Sequence, residues 1–426
     1  MNPFAMVWAD LRALRWTALA IVALIAMAVA IGVAIGAQER ALRKSSTVAA
    51  ADFDLLIGAP GSQTQLLMST IYLQLEAIPL MDGAVLKALA QDERVADFAP
   101  IAFGDVSRGY PIIGTTSAFA GRWGRIAPSE GRLFAAEGEA VVGADVRYKL
   151  GDRIAPSHAP AVQGRKAGEE DEDEAKHRHA GHDYTVVGRL PPLGSPWDRA
   201  ILVPVESVWE VHGLGNGHAP GVERIGAPFD AETLPGVPAV VVKPRSVAGA
   251  YALRSHYRQS GAMALFTARS QYSQSGTMAF FPAEVLVSIY RALGDARGLL
   301  VLASTLNATL VLSSILLLLV AVAGLRRRRY AVLRAMGAPR LYVLLVIWLG
   351  MAALMALGCV AGLMLGVGAA GALAKAVEAQ TGLRLAISVE SPELLQVALL
   401  FVVGTILSLL PAAASFRSPI ATELRG

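Results

Sequence analysis

A single cysteine, Cys359, occurs among 426 residues, so no disulfide framework staples this chain. It falls inside an apolar run, where a lone thiol reads as a small buried packing residue. No Gly-x-x-x-x-Gly-Lys-Ser/Thr sequence is present. The segment Gly58-Ala59-Pro60-Gly61-Ser62 lacks the Lys-Ser/Thr that a phosphate loop requires, so the chain is not expected to hydrolyse ATP itself. No Ser-His-Asp or paired-carboxylate arrangement stands out either, and no enzymatic activity is expected. Charge is scarce: 17% of residues are charged against 54% hydrophobic, too apolar for an ordinary soluble chain.

Charge is missing altogether from four runs: Trp16–Ala37, Gly298–Leu325, Leu341–Ala374 and Leu394–Phe416. Each is longer than the roughly 20 apolar residues needed to cross a bilayer as a helix. The first exceeds the roughly 7–15-residue core of a signal peptide and ends in no clean small-x-small cleavage site, which favours an uncleaved anchor. None of the four holds an ionisable residue that would mark an intramembrane substrate path.

The charge that is present has a side. The net charge of +4 invites a nucleic-acid reading, but residues 1–15, 326–340 and 417–426 hold ten Arg against Asp10 and Glu423. The rest of the chain then carries 28 basic and 32 acidic residues. Basicity confined to short segments beside apolar runs marks the cytoplasmic face and excludes a nucleic-acid partner. The expected fold class is therefore a membrane protein: four transmembrane α-helices with a large α+β extracytoplasmic domain inserted between helices 1 and 2. The expected order is an interfacial helix over 1–15, spans at 16–37, 298–325, 341–374 and 394–416, a cytoplasmic loop at 326–340, an external connection at 375–393 and a cytoplasmic tail at 417–426. Both termini face the cytoplasm, and Phe4, Val7, Trp8, Leu11 and Leu14 of the first helix face lipid.

The outer domain, 38–297, is mixed in polarity and rich in Gly and Pro. Asp54–Gly58 reads as a strand ahead of a helix carrying Leu66, Leu67, Ile71, Leu73 and Leu75. Further strands are expected at 98–103, 109–115, 139–142, 184–187, 200–204 and 240–244, with a helix over 247–260. A loop at 157–183 interrupts this pattern with an unbroken acidic run, Glu169–Glu174, followed by His177, His179, His182 and Asp183. Imidazoles and a carboxylate at that spacing could hold Zn²⁺ or a similar borderline metal. A solvated loop without ligand is the competing reading, because six like charges in a row repel. Within 341–374, Gly358, Gly362 and Gly366 recur every four residues, lining one helix face for close packing. That face suits a seam with a second subunit or packing within the chain equally well.

The central loop reads Arg326-Arg327-Arg328-Arg329-Tyr330-Ala331-Val332-Leu333-Arg334-Ala335-Met336-Gly337-Ala338-Pro339-Arg340. Tyr330–Met336 suits about two turns of helix, with Gly337 as its stop. This order resembles the loop of the FtsX-like/MacB-like permeases, in which a basic run leads into a Leu-Arg-Ala-(Leu/Met)-Gly-Ala core. The succession Gly131–Phe134, Glu139–Gly143, Leu150–Ile154, Tyr184–Gly188 and Ile201–Pro204 is similar to that family's extracytoplasmic domain. The tail Pro411–Arg425 resembles its ending, with Phe416 and the Ala421-Thr422 spacing as departures.

The resemblance implies a permease subunit in a bacterial inner membrane, driven by a separate cytosolic ATP-binding subunit that holds the ATP and Mg²⁺. Arg328, Arg329, Tyr330, Leu333, Arg334, Met336 and Gly337 would couple to that ATPase. It also implies a second permease copy or paralogue and a periplasmic partner. A signal transmitter that activates an extracytoplasmic partner, and a permease of a zinc-linked system, are the alternative readings.

Overall fold

The computed structural model describes residues 3–13, 15–74, 76–157, 182–219, 221–222, 224–264, 276–292 and 336–409, with isolated positions between 298 and 313. The chain divides into two compact units. One comprises Met1–Leu42, Ala292–Lys375 and Leu385–Gly426; the other comprises Arg43–Arg291 and Ala376–Arg384.

The first unit is helical. A short helix α1 (Pro3–Ala13) precedes α2 (Arg15–Ala50), and α8 (Arg340–Thr381) and α9 (Ser391–Leu407) follow from the C-terminal half. In α1, Val7 is buried while Phe4 and Trp8 are exposed. α2 continues past the apolar run to Ala50, and α8 past its own to Thr381. At 1.5 Å per residue they are about 54 and 63 Å long, against a hydrocarbon core of about 30 Å. The glycines of α8 do not break it, since the helix is continuous over all 42 residues. α2 and α8 are long and apolar enough to cross a membrane, and α9 is a shorter apolar helix. The expected span at 298–325 lies outside the described residues, apart from isolated positions.

Ile21, Ile25, Val29 and Val33 of α2 pack against Val343, Ile347, Met351, Leu354, Met355 and Cys359 of α8, flanked by Val397, Leu400 and Phe401 of α9. Cys359 is thus a core residue of this bundle, as its apolar setting predicts. The other sides of the helices leave Leu24, Met27, Ile31, Leu357, Met364, Leu399 and Ile406 exposed. A soluble protein rarely leaves so much contiguous apolar surface bare.

The second unit is built on a ten-stranded sheet in the order β10-β1-β9-β2-β3-β8-β5-β7-β4, with β6 on β7. The strands are β1 Leu55–Gly58, β2 Val95–Ser107, β3 Tyr110–Thr115, β4 Glu130–Gly131, β5 Glu139–Val142, β6 Arg153–Ile154, β7 Tyr184–Arg189, β8 Ile201–Pro204, β9 Ala239–Pro244 and β10 Met278–Phe280. Pairing is antiparallel except for β3 with β8 and β5 with β7. The long strand β2 joins the halves: its first part pairs with β9 and its second with β3. The change falls between Ile101 and Ala102, and a bulge follows between Phe103 and Asp105, where Gly104 adopts φ +154°. An extra residue there bends the strand, and glycine tolerates the backbone it needs.

Helices α3 (Gln63–Ile71), α4 (Ala84–Gln91), α5 (Ser117–Ala120), α6 (Val205–Val211) and α7 (Val247–Ala264) cover the sheet. Ser62 caps α3 by accepting from the Gln65 N–H at 3.2 Å. Leu55 and Ile57 enter one apolar core, while Leu56 enters the other. Both faces are therefore buried, and Val240, Val241 and Val242 are all fully enclosed. This is why these strands read as continuous apolar runs rather than alternating ones.

Candidate functional site

Within the helical unit, Gly358, Gly362 and Gly366 all face α2. An ideal Cβ at Gly358 would lie 2.6 Å from Ile25 Cβ, one at Gly362 2.6 Å from the Ala26 carbonyl oxygen, and one at Gly366 2.8 Å from the Ala30 carbonyl oxygen. The four-residue spacing puts these positions on one stripe, and missing side chains let the two backbones approach. The occupant of this stripe is α2 of the same chain. Trp348 ties α8 to α9 through a 3.1 Å bond from its indole N–H to the Thr405 carbonyl.

An ion cluster sits in the same unit. Arg40 of α2 pairs with the buried Glu393 of α9 and lies 3.6 Å from Glu390. Glu390 and Glu393 also form a capping box, each side chain accepting from a backbone N–H of the first turn of α9. Gln396 approaches Gly32, whose Cβ would meet its Nε2 at 2.8 Å. Charge is admitted here because helix-end donors and an arginine satisfy the carboxylate together. Neither the cluster nor the box was read from the sequence, although Glu390-x-x-Glu393 before an apolar run was the signal available.

Within the second unit, the last turn of α8 and the residues after it are clamped to the sheet domain. Gly382 ends the helix with φ +72°, donating its N–H to the Glu378 carbonyl at 2.8 Å. Arg199 donates to the carbonyls of Ala379 and Gln380 at 3.1 and 3.3 Å, capping the negative helix end with a cation. Arg384 then pairs with Asp145 at 2.7 Å and Glu378 at 3.4 Å, and lies 3.9 Å from the enclosed Asp198. Leu383 enters the apolar core, and Ser45 donates to the Arg384 carbonyl at 2.8 Å.

Burial raises the Asp198 carboxyl above the usual carboxylate range, opposed by hydrogen bonds from the Leu193 and Gly194 N–H groups and by Arg384. Desolvation lowers the Arg199 guanidinium. The sequence reading made 375–393 a plain external connection. Only Gly382 was a local signal; the partners at 145, 198 and 199 are brought in by tertiary structure.

Of the coupling residues, Arg328, Arg329, Tyr330, Leu333 and Arg334 lie outside the described residues. Met336 is exposed, and Gly337 takes φ +96° two residues before Pro339, with α8 beginning at Arg340. His177 and His179 also lie outside the described residues. Asp183 lies 3.7 Å from Arg153, and His182 is exposed beside it. Among the described residues no group of three metal-ligating side chains comes together. β6 pairs with β7, Ile154 opposite Tyr184, so the segment carrying the acidic run begins and ends at adjacent strands.

Residues 301–422 match the model of the FtsX-like permease C-terminal family. That family is a membrane-embedded, non-catalytic component of transporters. A search of the curated proteins finds no match. Among solved structures, the periplasmic region of MacB from Actinobacillus actinomycetemcomitans aligns at 9% identity and TM-score 0.32, covering 56% of this chain and 95% of that one. The extracellular domain of the noncanonic ABC-type transporter YknZ from Gram-positive bacteria aligns at 11% identity and TM-score 0.30, covering 53% and 98%.

Proposed function

We propose that this chain is the permease subunit of an ABC transporter, coupling ATP hydrolysis on a separate cytosolic ATPase to movement of its extracytoplasmic domain. The family match over 301–422 carries the reading. Its four spans are those at 16–37, 298–325, 341–374 and 394–416, with both termini cytoplasmic. The ATPase presses on the loop at 326–340 through Arg328, Arg329, Tyr330, Leu333, Arg334, Met336 and Gly337. The uninterrupted helix α8 starts at the end of that loop. A rigid helix displaced at one end displaces whatever holds its other end. That far end is the turn held by Arg199, Arg384, Asp145 and Asp198. The substrate is exported or released by this motion rather than passed through a polar pore, in keeping with apolar runs free of ionisable residues. ATP and Mg²⁺ belong to the partner, and the permease works as a pair of copies or paralogues.

The test is affinity purification from detergent-solubilised membranes with mass spectrometry of the co-purifying proteins. We expect an ATP-binding subunit that is lost from the Arg334→Glu variant while the permease itself is recovered at normal yield. Recovery of a folded chain with no ATPase overturns the reading. A cell-wall hydrolase recovered with the ATPase would move the output from transport to signalling.

A further inference from the structure

Helix α6 and the residues after it enclose four groups that the transport reading does not use. Glu206 and His218 have side chains with almost no exposure, and Asp230 and Arg224 stand around them half-exposed. Glu206 Oε1 accepts the Gly226 N–H at 2.6 Å and lies 3.5 Å from His218 Nε2. Arg224 Nε donates to His218 Nδ1 at 3.4 Å, which leaves the ring proton on Nε2, facing Glu206. Asp230 lies 3.5 Å from Nδ1 and pairs with Arg224 at 2.7 Å. Phe229 stacks on the imidazole at 5.6 Å and meets Trp209 edge-on at 5.6 Å. Glu206 is therefore the polar anchor that ties α6 to the returning chain at Gly226. Its other oxygen, Oε2, is buried and accepts no hydrogen bond from the described residues. A buried carboxylate needs donors on both oxygens, so this arrangement favours the neutral acid.

We propose that Glu206 and His218 form a proton-operated latch that holds residues 212–219 and 224–230 closed over α6 in acidic medium and loosens them as pH rises to neutrality. Burial, reinforced by the negative charges of Glu137 and Glu210, pushes Glu206 up to about 7. A carboxyl raised on closing stabilises the closed state fully below its ordinary value, and that contribution is lost as pH climbs through about 7. Burial, aided by Arg224 and opposed by Asp230, pushes His218 below its ordinary value. Its contribution is present above the ordinary imidazole range and lost as pH falls through the lowered one. The two contributions oppose each other, and the large Glu206 loss, spread from the ordinary carboxyl value up to about 7, sets the direction of the response.

The remaining charged groups around it do not cancel the effect. Asp230 is pushed down, chiefly by the Ala219 N–H, and remains ionised across this range. His212, at the end of α6, is held by the Val208 carbonyl at 2.7 Å and lies 3.9 Å from Asp105 of β2. Opening would uncover Trp209 and Phe229, now 2% and 5% exposed.

Hydrogen–deuterium exchange of the full chain in detergent, at pH 6, 7 and 8 and corrected for intrinsic exchange rates, tests the latch. We expect protection of 213–231 to fall by about two- to fivefold between pH 6 and 7 and by less than about twofold from pH 7 to 8, while strand β9 keeps its protection. The Glu206→Gln variant keeps an acceptor for Gly226 without a titrating carboxyl, and should show no loss of protection as pH rises from 6 to 8. Wild-type protection that does not change with pH overturns the proposal, whether or not any variant folds. So does a Glu206→Gln variant that retains the wild-type response.

Discussion

Arg122 shows what an enclosed charge requires. Its guanidinium lies 4.5 Å from the Trp197 ring and 4.6 Å from that of Phe119, with Nε 3.1 Å from Asp52 and Nη1 donating to the Phe119 carbonyl at 3.2 Å. Burial pushes it down to about 10, so it stays charged at neutral pH. Asp52 also has Arg125 at 2.5 Å, so truncation of Arg122 would not leave a lone carboxylate. The cost of Arg122→Ala is therefore chiefly lost packing, about 3 kcal/mol. Arg122→Lys keeps the charge but not the flat contact on two rings. Thermal unfolding of the detergent-solubilised chain should rank wild type above Lys and Lys above Ala. A Lys variant as stable as wild type would show that planar stacking contributes nothing. Nothing local in Gly121-Arg122-Trp123-Gly124 announces this role, because Asp52, Phe53 and Trp197 are remote in sequence.

At the scale of elements, the α2–α8 seam separates glycines that look alike in sequence. Gly358, Gly362 and Gly366 have no room for a side chain, whereas Cβ atoms at Gly368 and Gly371 would meet nothing within 4 Å. Gly362→Leu should overpack the seam and cost about 1–3 kcal/mol. Gly368→Ala should be neutral or stabilise by up to about 1 kcal/mol through helix propensity. Paired thermal-unfolding curves measure both, and equal effects at 362 and 368 would refute the seam. The four-residue period places these three glycines on one stripe, which is a local property of a helix. Which partner fills the stripe is not local, and α2 lies some 330 residues earlier in the chain.

Across the whole molecule, the proposed mechanism separates coupling from docking by position. Arg384→Met removes the pairs with Asp145 and Glu378 and the approach to Asp198, without touching the loop at 326–340. In the proposed mechanism the ATPase should still co-purify, while stimulation of its ATP hydrolysis by transport substrate should fall at least tenfold. Full stimulation in a folded Arg384→Met variant would remove this turn from the transmission path. The opposite pattern is expected for Arg334→Glu, which should lose the partner itself.

By itself the sequence determined the apolar runs of α2, α8 and α9 and most strand positions. These follow from composition and short periods, which a bilayer and a pleated sheet impose residue by residue. Expected strands at 139–142, 184–187 and 200–204 fall on β5, β7 and β8 to within two residues at each end. Tertiary structure alone decided that β2 bends between two halves of one sheet, that Arg384 and Arg199 clamp the end of α8, and that Glu206 meets His218. Each joins residues that share no local period. Charges enter such places only where remote partners compensate their desolvation, and chain order carries no record of those partners.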